Sequence, residues 1–279
     1  MCDPRRNALL QEGNQSDRVD ARKLAELLQN NQLRPVYHED HGLRTVKELV
    51  RTYLTITKDL SRIMTRVKAI YRGWAIPCTG RQVYGSRHRS EWLRKIQEPG
   101  VRRRAELYYQ QLDALRALRQ EVRRELLTES KKHKSWKPLC QIPSIGPIRA
   151  AVLLGILQTA HRFRTKRQLW TYSGLGIEVH SSADHHMVNG RLERKKKHIE
   201  IRGLNGNCNH DLKNLFKAAA VLASTKPGPF KEFYSALLMK GMRPEMARLT
   251  LARKIATTVL IVWKRGVCFD VNHLKPQTA

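Results

Sequence analysis

The stretch Ile142-Pro143-Ser144-Ile145-Gly146-Pro147-Ile148-Arg149-Ala150-Ala151 decides how this chain is read. It predicts a helix-hairpin-helix: a short helix, a turn built on hydrophobic-x-Gly, and a second helix rich in alanine. Gly146 would permit a backbone conformation and a close approach that a side chain blocks. The amides at the start of the next helix are then placed to face phosphate oxygens, a contact that positions nucleic acid without reading its sequence. On this reading Ser144, Gly146, Ile148 and Arg149 touch nucleic acid. The same residues would also serve as an ordinary joint between two core helices, so their surroundings matter.

Those surroundings are strongly basic. The 279 residues carry 53 Lys+Arg against 24 Asp+Glu, a formal charge of +29, with a pI near 10.5. A small soluble domain is typically within about 8 charges of neutrality; a compact state this positive repels itself and calls for a polyanionic partner. Hydrophobic residues at 41% and a mean hydropathy of −0.54 leave enough apolar matter for a core. No run approaches the roughly 18 consecutive apolar residues of a membrane helix, and the N-terminus (MCDPRRNALLQEG) lacks the apolar segment of a secretory signal. Five cysteines, Cys2, Cys78, Cys140, Cys208 and Cys268, are odd in number and contain no CxxC pair. They argue against a disulfide framework or a zinc ribbon, and for a reducing cytoplasm.

The charge is spread along the chain, with concentrations at 102–104, 131–137 and 191–197. The last, Arg191-Leu192-Glu193-Arg194-Lys195-Lys196-Lys197, reads as a loop beside Asn189-Gly190, either a solvated charge run or cations in reach of phosphates. Two seams of apolar residues spaced alternately by three and four predict long helices. One runs Leu43, Val46, Val50, Tyr53, Leu60, Met64, Val67, Tyr71, Trp74, interrupted at Thr57; the other runs Val101, Ala105, Tyr108, Leu112, Leu115, Val122, Leu126, interrupted at Arg119. Prolines and glycines from Ile76-Pro77 to Pro99-Gly100 stop both. The pattern predicts a helical hairpin or coiled coil with arms of about 30 residues, as a heptad seam allows, or helices packed on a common core. Further helices are expected near 211–223 and 244–264, separated by Pro227-Gly228-Pro229, with a polar Gly/Asn-rich region at 174–209.

Two other segments could carry chemistry. In Ser16-Asp17-Arg18-Val19-Asp20-Ala21, a helix would put Asp17 and Asp20 on one face. Such a pair suits Mg²⁺, which prefers hard oxygen ligands; equally, Asp17 could be the N-cap and Asp20 the N3 residue of a helix over Ala21–Leu28. Downstream, Trp170-Thr171-Tyr172-Ser173-Gly174-Leu175-Gly176 leads to Val179-His180-Ser181-Ser182-Ala183-Asp184, where a loop serine lies beside histidine and acid. The histidines His185, His186, His198 and His210, with Cys208, match no standard zinc spacing.

In this order, SDRVDARKLAELL (Ser16 to Leu28), IPSIGPIRAAVLL (Ile142 to Leu154) and FRTKRQLWTYSGLG (Phe163 to Gly176) together resemble the Piv-like DNA invertase and transposase family of bacterial insertion sequences. Ile201-Arg202-Gly203-Leu204-Asn205, leading into Asp211-Leu212-Lys213-Asn214-Leu215, extends the resemblance to about residues 3–265. It implies a mainly α chain: a remnant of an RNase H-like (RuvC-like) DEDD domain over 1–40, a helical coiled-coil region over 41–137, and a C-terminal transposase domain with helix-hairpin-helix and serine loop over 138–279. By position, Asp17 and Asp20 match the third and fourth acids of the quartet, with Mg²⁺ as cofactor. Ser182, before the small residue Ala183, matches the nucleophile, with Ser181 as runner-up. Arg191, Arg194, Lys195, Lys196, Lys197 and Arg202 join the expected nucleic-acid contacts. The resemblance further implies DNA and a structured guide RNA as partners, a homo-oligomer through the coiled coil, no membrane, and a nucleoid-associated cytoplasmic place in a bacterium. The family's first two acids lie on strands before SDRVDA, and only 16 residues precede Asp17 here. A shortened copy with an impaired metal site is therefore expected. The competing class is a non-catalytic basic protein that keeps the hairpin but performs no strand chemistry. A helix-hairpin-helix repair enzyme is disfavoured by the lack of a Lys-Asp pair just beyond the hairpin.

Overall fold

A computed structural model describes residues 16–32, 43–180, 185–188, 191–194 and 200–271, with the backbone alone at 179–180, 185–188, 191–194 and 200–202. It is mainly helical, as expected, and divides into two compact units, Met1–Gly42 and Leu43–Ala279.

The first unit contributes helix α1 (Asp17–Gln29). Its N-cap is Ser16, whose Oγ accepts the Val19 amide at 3.3 Å. The capping alternative had assigned that role to Asp17 and begun the helix at Ala21. Instead Asp17 and Asp20 both sit in the first turn, where negative charge meets the positive end of the helix dipole.

In the second unit, α2 (Arg44–Gly73) and α4 (Pro99–Lys131) form an antiparallel hairpin. The expected arm length holds, and the stops are chemical: Pro99 opens α4, with the Glu98 carboxylate accepting the Gly100 and Val101 amides. The two seams face each other within one chain. The stripe is broader than a strict heptad, because Ile63 and Ile70 are buried with Leu60, Val67 and Tyr71. Trp74, counted in the seam, is instead the exposed C-cap of α2. At the distal end these residues pack with Ala105, Tyr109 and Leu112 of α4, sealed by a 3₁₀ turn (Gln82–Tyr84) and α3 (Arg89–Arg94). The Tyr71 hydroxyl donates to that of Tyr109 at 3.0 Å, and Tyr109 donates to the Val83 carbonyl at 2.8 Å.

The proximal end of the hairpin is built into a second core with α5 (Trp136–Cys140), α6 (Pro147–Leu157), α7 (Lys166–Tyr172), α8 (His210–Thr225), α9 (Pro229–Met239) and α10 (Pro244–Arg265). Val46, Val50 and Leu126 share that core with Leu153, Phe216 and Ile255, so it is continuous across residue 137, where two regions had been expected. Helix α6 is apolar on nearly every face and correspondingly buried. Gly155 lets it approach α2: a Cβ there would stand 2.7 Å from Val50 Cγ2 and 3.2 Å from the Val46 carbonyl.

The polar region after α7 contains strands. β1 (Ile177–His180) pairs antiparallel with β4 (Glu200–Leu204), and β2 (His185–Val188) pairs antiparallel with β3 (Arg191–Arg194). Arg191 and Arg194 therefore belong to a strand, correcting the loop reading. The Val188–Arg191 pairing leaves only Asn189-Gly190 between the strands, and Asn-Gly is the strongest short hairpin signal in a sequence.

Candidate nucleic-acid interface

Within 142–151 the structure has a turn over 142–146 and the first residues of α6; the short helix before it, α5, already ends at Cys140. The strained residue of the turn is not the glycine. Ser144 takes φ +70°, in the left-handed region, whereas Gly146 sits at φ −76°, ψ 176°, which any residue can adopt. No atom lies within 4 Å of where a Gly146 Cβ would be. The expectation that Gly146 is needed for backbone freedom is therefore corrected; what it leaves is open space on the outer side of the turn.

Gly146 is the N-cap of α6, with Pro147 at N1, and no side chain caps the helix. A serine or aspartate there would accept one of the free amides; glycine leaves them available. The start of α9 repeats this arrangement, with Gly228 as N-cap, Pro229 at N1 and again no capping side chain. By contrast, α7 is closed by a Thr165–Gln168 capping box and α8 by Asn209, which accepts the Leu212 amide at 3.0 Å.

The two uncapped starts border one cavity of 430 Å³ between the α5–α6 turn and the α8–α9 turn. Arg149, Lys226 and Lys231 line it, and among the described residues its lining holds no Asp or Glu. The Arg149 guanidinium donates to the Ser144 carbonyl at 2.9 Å, and burial lowers its pKa below the usual arginine value. Among the described residues it has no carboxylate partner, and neither has Lys226 or Lys231. The floor is apolar, formed by Ile142, Ile145, Leu222, Ala223 and Phe230. The Ser144 Oγ is shielded from solvent and has no hydrogen-bond partner, a state that costs about 1–3 kcal/mol unless something satisfies it. In the same wall, burial pushes the Cys140 thiol up to about 11, which removes it as a nucleophile near neutrality.

A second basic spot lies on α10. Arg253 donates to the Leu175 carbonyl at 2.8 Å while Trp170 Nε1 donates to the Arg253 carbonyl at 3.1 Å, tying α7 to α10. Burial lowers the pKa of both Arg253 and Lys254, the latter also through the charge of Lys166.

Of the residues expected from sequence, the structure brings Ser144, Gly146 and Arg149 together at the cavity, while Ile148 sits just inside α6, half-buried against the core. Ser181, Ser182, Lys195, Lys196 and Lys197 lie outside the described residues; Arg191 and Arg194 are on β3 and Arg202 on β4. Asp17 and Asp20 belong to the first unit, where Asp20 Oδ1 is shielded and unpartnered among the described residues. No group of three or more His, Cys, Asp or Glu able to hold a metal occurs among the described residues. Mg²⁺ commonly takes one or two carboxylates and completes its shell with water and phosphate, so an i, i+3 pair with an orphaned oxygen fits the protein's share of such a site. Sequence reasoning missed Gly228, Lys226 and Lys231. The signal was present in the repeated Gly-Pro helix start, Gly146-Pro147 and Gly228-Pro229, with lysines beside the second.

Residues 137–235 match the family model described as "Transposase IS116/IS110/IS902 family". That span contains every residue lining the cavity, the β1–β4 region and both candidate serines. No curated protein matches the chain. Among the described residues no helix is long and apolar enough to cross a membrane.

Proposed function

We propose that this chain is a DNA transposase or recombinase of a bacterial insertion sequence, binding DNA together with a structured guide RNA and joining strands through a serine. The observation that carries the proposal is the coincidence of the transposase-family match with the acid-free, cation-lined cavity. In this reading Ser144, Gly146, Arg149, Lys226 and Lys231 grip a phosphate backbone. Arg191, Arg194, Lys195, Lys196, Lys197 and Arg202 extend that grip along the strand region. Ser182, with Ser181 as the alternative, attacks a DNA phosphodiester. The Oγ–P bond forms as the P–O bond to the leaving sugar oxygen breaks, that oxygen takes up a proton, and the strand stays covalently attached for rejoining. Asp17 and Asp20 would hold Mg²⁺, which when bound stabilises negative charge on phosphoryl oxygens.

The test is a recombination assay on supercoiled plasmid with Mg²⁺, combined with denaturing capture of a protein–DNA adduct. An adduct that forms with the full chain and vanishes in Ser182→Ala supports the proposal; recombination that survives Ser182→Ala and Ser181→Ala together refutes the serine chemistry. The second reading, a non-catalytic binder, is favoured by one observation: the cations lining the cavity among the described residues are of a kind that binds a backbone and include no catalytic group. Salt-sensitive DNA binding with no adduct under any condition would decide for it.

A further inference from the structure

Of the five tryptophans, Trp92 and Trp263 are buried and Trp136 and Trp170 half-buried, whereas Trp74 stands 51% exposed at the far end of α2. The backbone holds it there. Ala75 takes φ +55°, in the left-handed region that glycine enters freely and an L residue enters at a cost. The Ala75 amide donates to the Arg72 carbonyl at 3.1 Å and the Ile76 amide to the Tyr71 carbonyl at 2.9 Å, closing the helix in a Schellman turn. In such a turn the residue after the left-handed one folds back onto the helix; here that is Ile76, packed on the distal core. Gly73 would fill the left-handed place without cost, and Trp74 would then be the residue folded in. Gly73 is instead helical, and a Cβ on it would meet no atom within 4 Å, so the space beside Trp74 is open.

The surroundings are cationic. From residue 60 to residue 90 the chain has seven Lys+Arg and no Asp or Glu. The Cys78 thiol, 3.7 Å from the Lys68 carbonyl, holds the tip loop against α2. Lys68 Nζ lies 5.4 Å over the Tyr84 ring, and the Tyr84 amide donates to the Arg81 carbonyl at 3.1 Å. Arg81 is thereby brought back to α2, one turn from Arg72. Neither arginine has a carboxylate partner among the described residues. No other large apolar side chain is exposed between residues 43 and 106, too little for a protein partner. A lone ring among cations suits one flat apolar face carried between anions. An unpaired base is such a face, because every base has a π-face that stacks on an aromatic side chain. We infer that the tip of the arm is a separate contact for an unpaired DNA segment, one base stacking on Trp74 and the flanking phosphates meeting Arg72 and Arg81. About 36 Å of α2 separates Trp74 from Val50, where α6 packs, so this contact is distinct from the cavity. It rests on the nucleic-acid client proposed above and adds a preference for bases that a backbone grip lacks.

The experiment titrates the full chain with a labelled oligothymidine, the same strand lacking its bases, and a duplex. Trp74 belongs to neither core, so its variants keep the fold. Trp74→Ala lowers the preference for the oligothymidine over the abasic strand about tenfold, the loss of one stacked base. Trp74→Tyr keeps that preference, and neither variant changes duplex affinity. Arg72→Gln lowers the slope of log K against log[salt] for the oligothymidine by about 0.7, one phosphate on a single strand. A base preference unchanged in Trp74→Ala overturns the inference and leaves the grip standing, as does a slope unmoved in Arg72→Gln. A Trp74→Ala chain that sediments as a smaller species than the wild type, with its base preference intact, overturns it in favour of a second copy at the tip. Binding of neither strand nor duplex overturns the inference and the grip together.

Discussion

The two ends of the α2–α4 hairpin both carry cations and differ in how several of them are met. At the distal end four cations are held by the protein itself. Arg89 makes a forked pair with Asp113 at 2.5 and 2.8 Å, Arg102 donates twice to the Ile96 carbonyl, Arg103 meets Glu106, and Lys95 lies 3.9 Å over the Trp92 ring. At the proximal end Arg149, Lys226 and Lys231 gather round a cavity without a carboxylate, and two helices begin with glycine where a capping side chain would have served. Net charge announces a polyanion, but only pairing shows where it goes. These distal cations are held within the protein; the three around the cavity have no carboxylate partner among the described residues.

The sharpest way to break this contrast is through the cores. Phe216→Ala, in the proximal core, should destabilise the second unit by about 4 kcal/mol, read by urea unfolding, with a matching loss of nucleic-acid binding wherever the unit is unfolded. Tyr109→Phe, in the distal core, strands the Tyr71 hydroxyl and the Val83 carbonyl and should cost about 2 kcal/mol, yet leave DNA affinity in the folded state unchanged. A drop in affinity there would erase the distinction between the ends. Next, Lys226→Gln should lower the log K against log[salt] slope for duplex DNA by about 0.9, whereas Lys95→Gln should not move it. Equal changes would mean that charge acts globally, without regard to pairing.

The smallest expected effect is a pH dependence. His133 follows the end of α4, its Nδ1 accepting the Ser135 amide at 3.1 Å and its ring edge-on to Trp263. Burial first, and the Lys134 charge second, lower its pKa below the usual 6.5. The unfolded chain therefore takes up a proton that the folded chain refuses. Stability from the neutral ring is present above about pH 6.5 and is lost as pH falls through the lower folded value. A melting temperature followed from pH 7.5 down to 5 should decline more in the wild type than in His133→Gln.

Much of the hairpin was legible because its information is local: three-four spacing sets the seam, and Pro77 and Pro99 bound it. What escaped was set by spatial neighbours. Ile63 and Ile70 lie off the heptad but are buried in the distal cluster that includes residues of the sealing turn and α3. Pro227-Gly228-Pro229 reads in sequence as a separator between helices, yet Gly228-Pro229 is the start of α9. The cations of 191–197 read in sequence as a charged loop and outweigh the Asn189-Gly190 signal between β2 and β3. The cavity could not be read along the chain at all, since its two walls are some 80 residues apart and meet through the packing of α6 on α8 and of both α5 and α8 on α10. Nor does any sequence rule put the left-handed residue of the turn at Ser144 rather than at Gly146.

Helix α6 has a further consequence. At one end it opens the cavity with Gly146 and Pro147; near the other, Gly155 locks it against Val50 of the hairpin. The rise from Pro147 to Gly155 is about 12 Å, the length of some three to four nucleotide steps along one strand of a duplex. Because Gly155 admits no larger side chain without pushing α2 away, this interval is fixed. The helix is a gauge block: it fixes the distance between the turn at Gly146 and the base of the arm, and on the proposed grip it would set which neighbouring step of a bound strand the arm can meet.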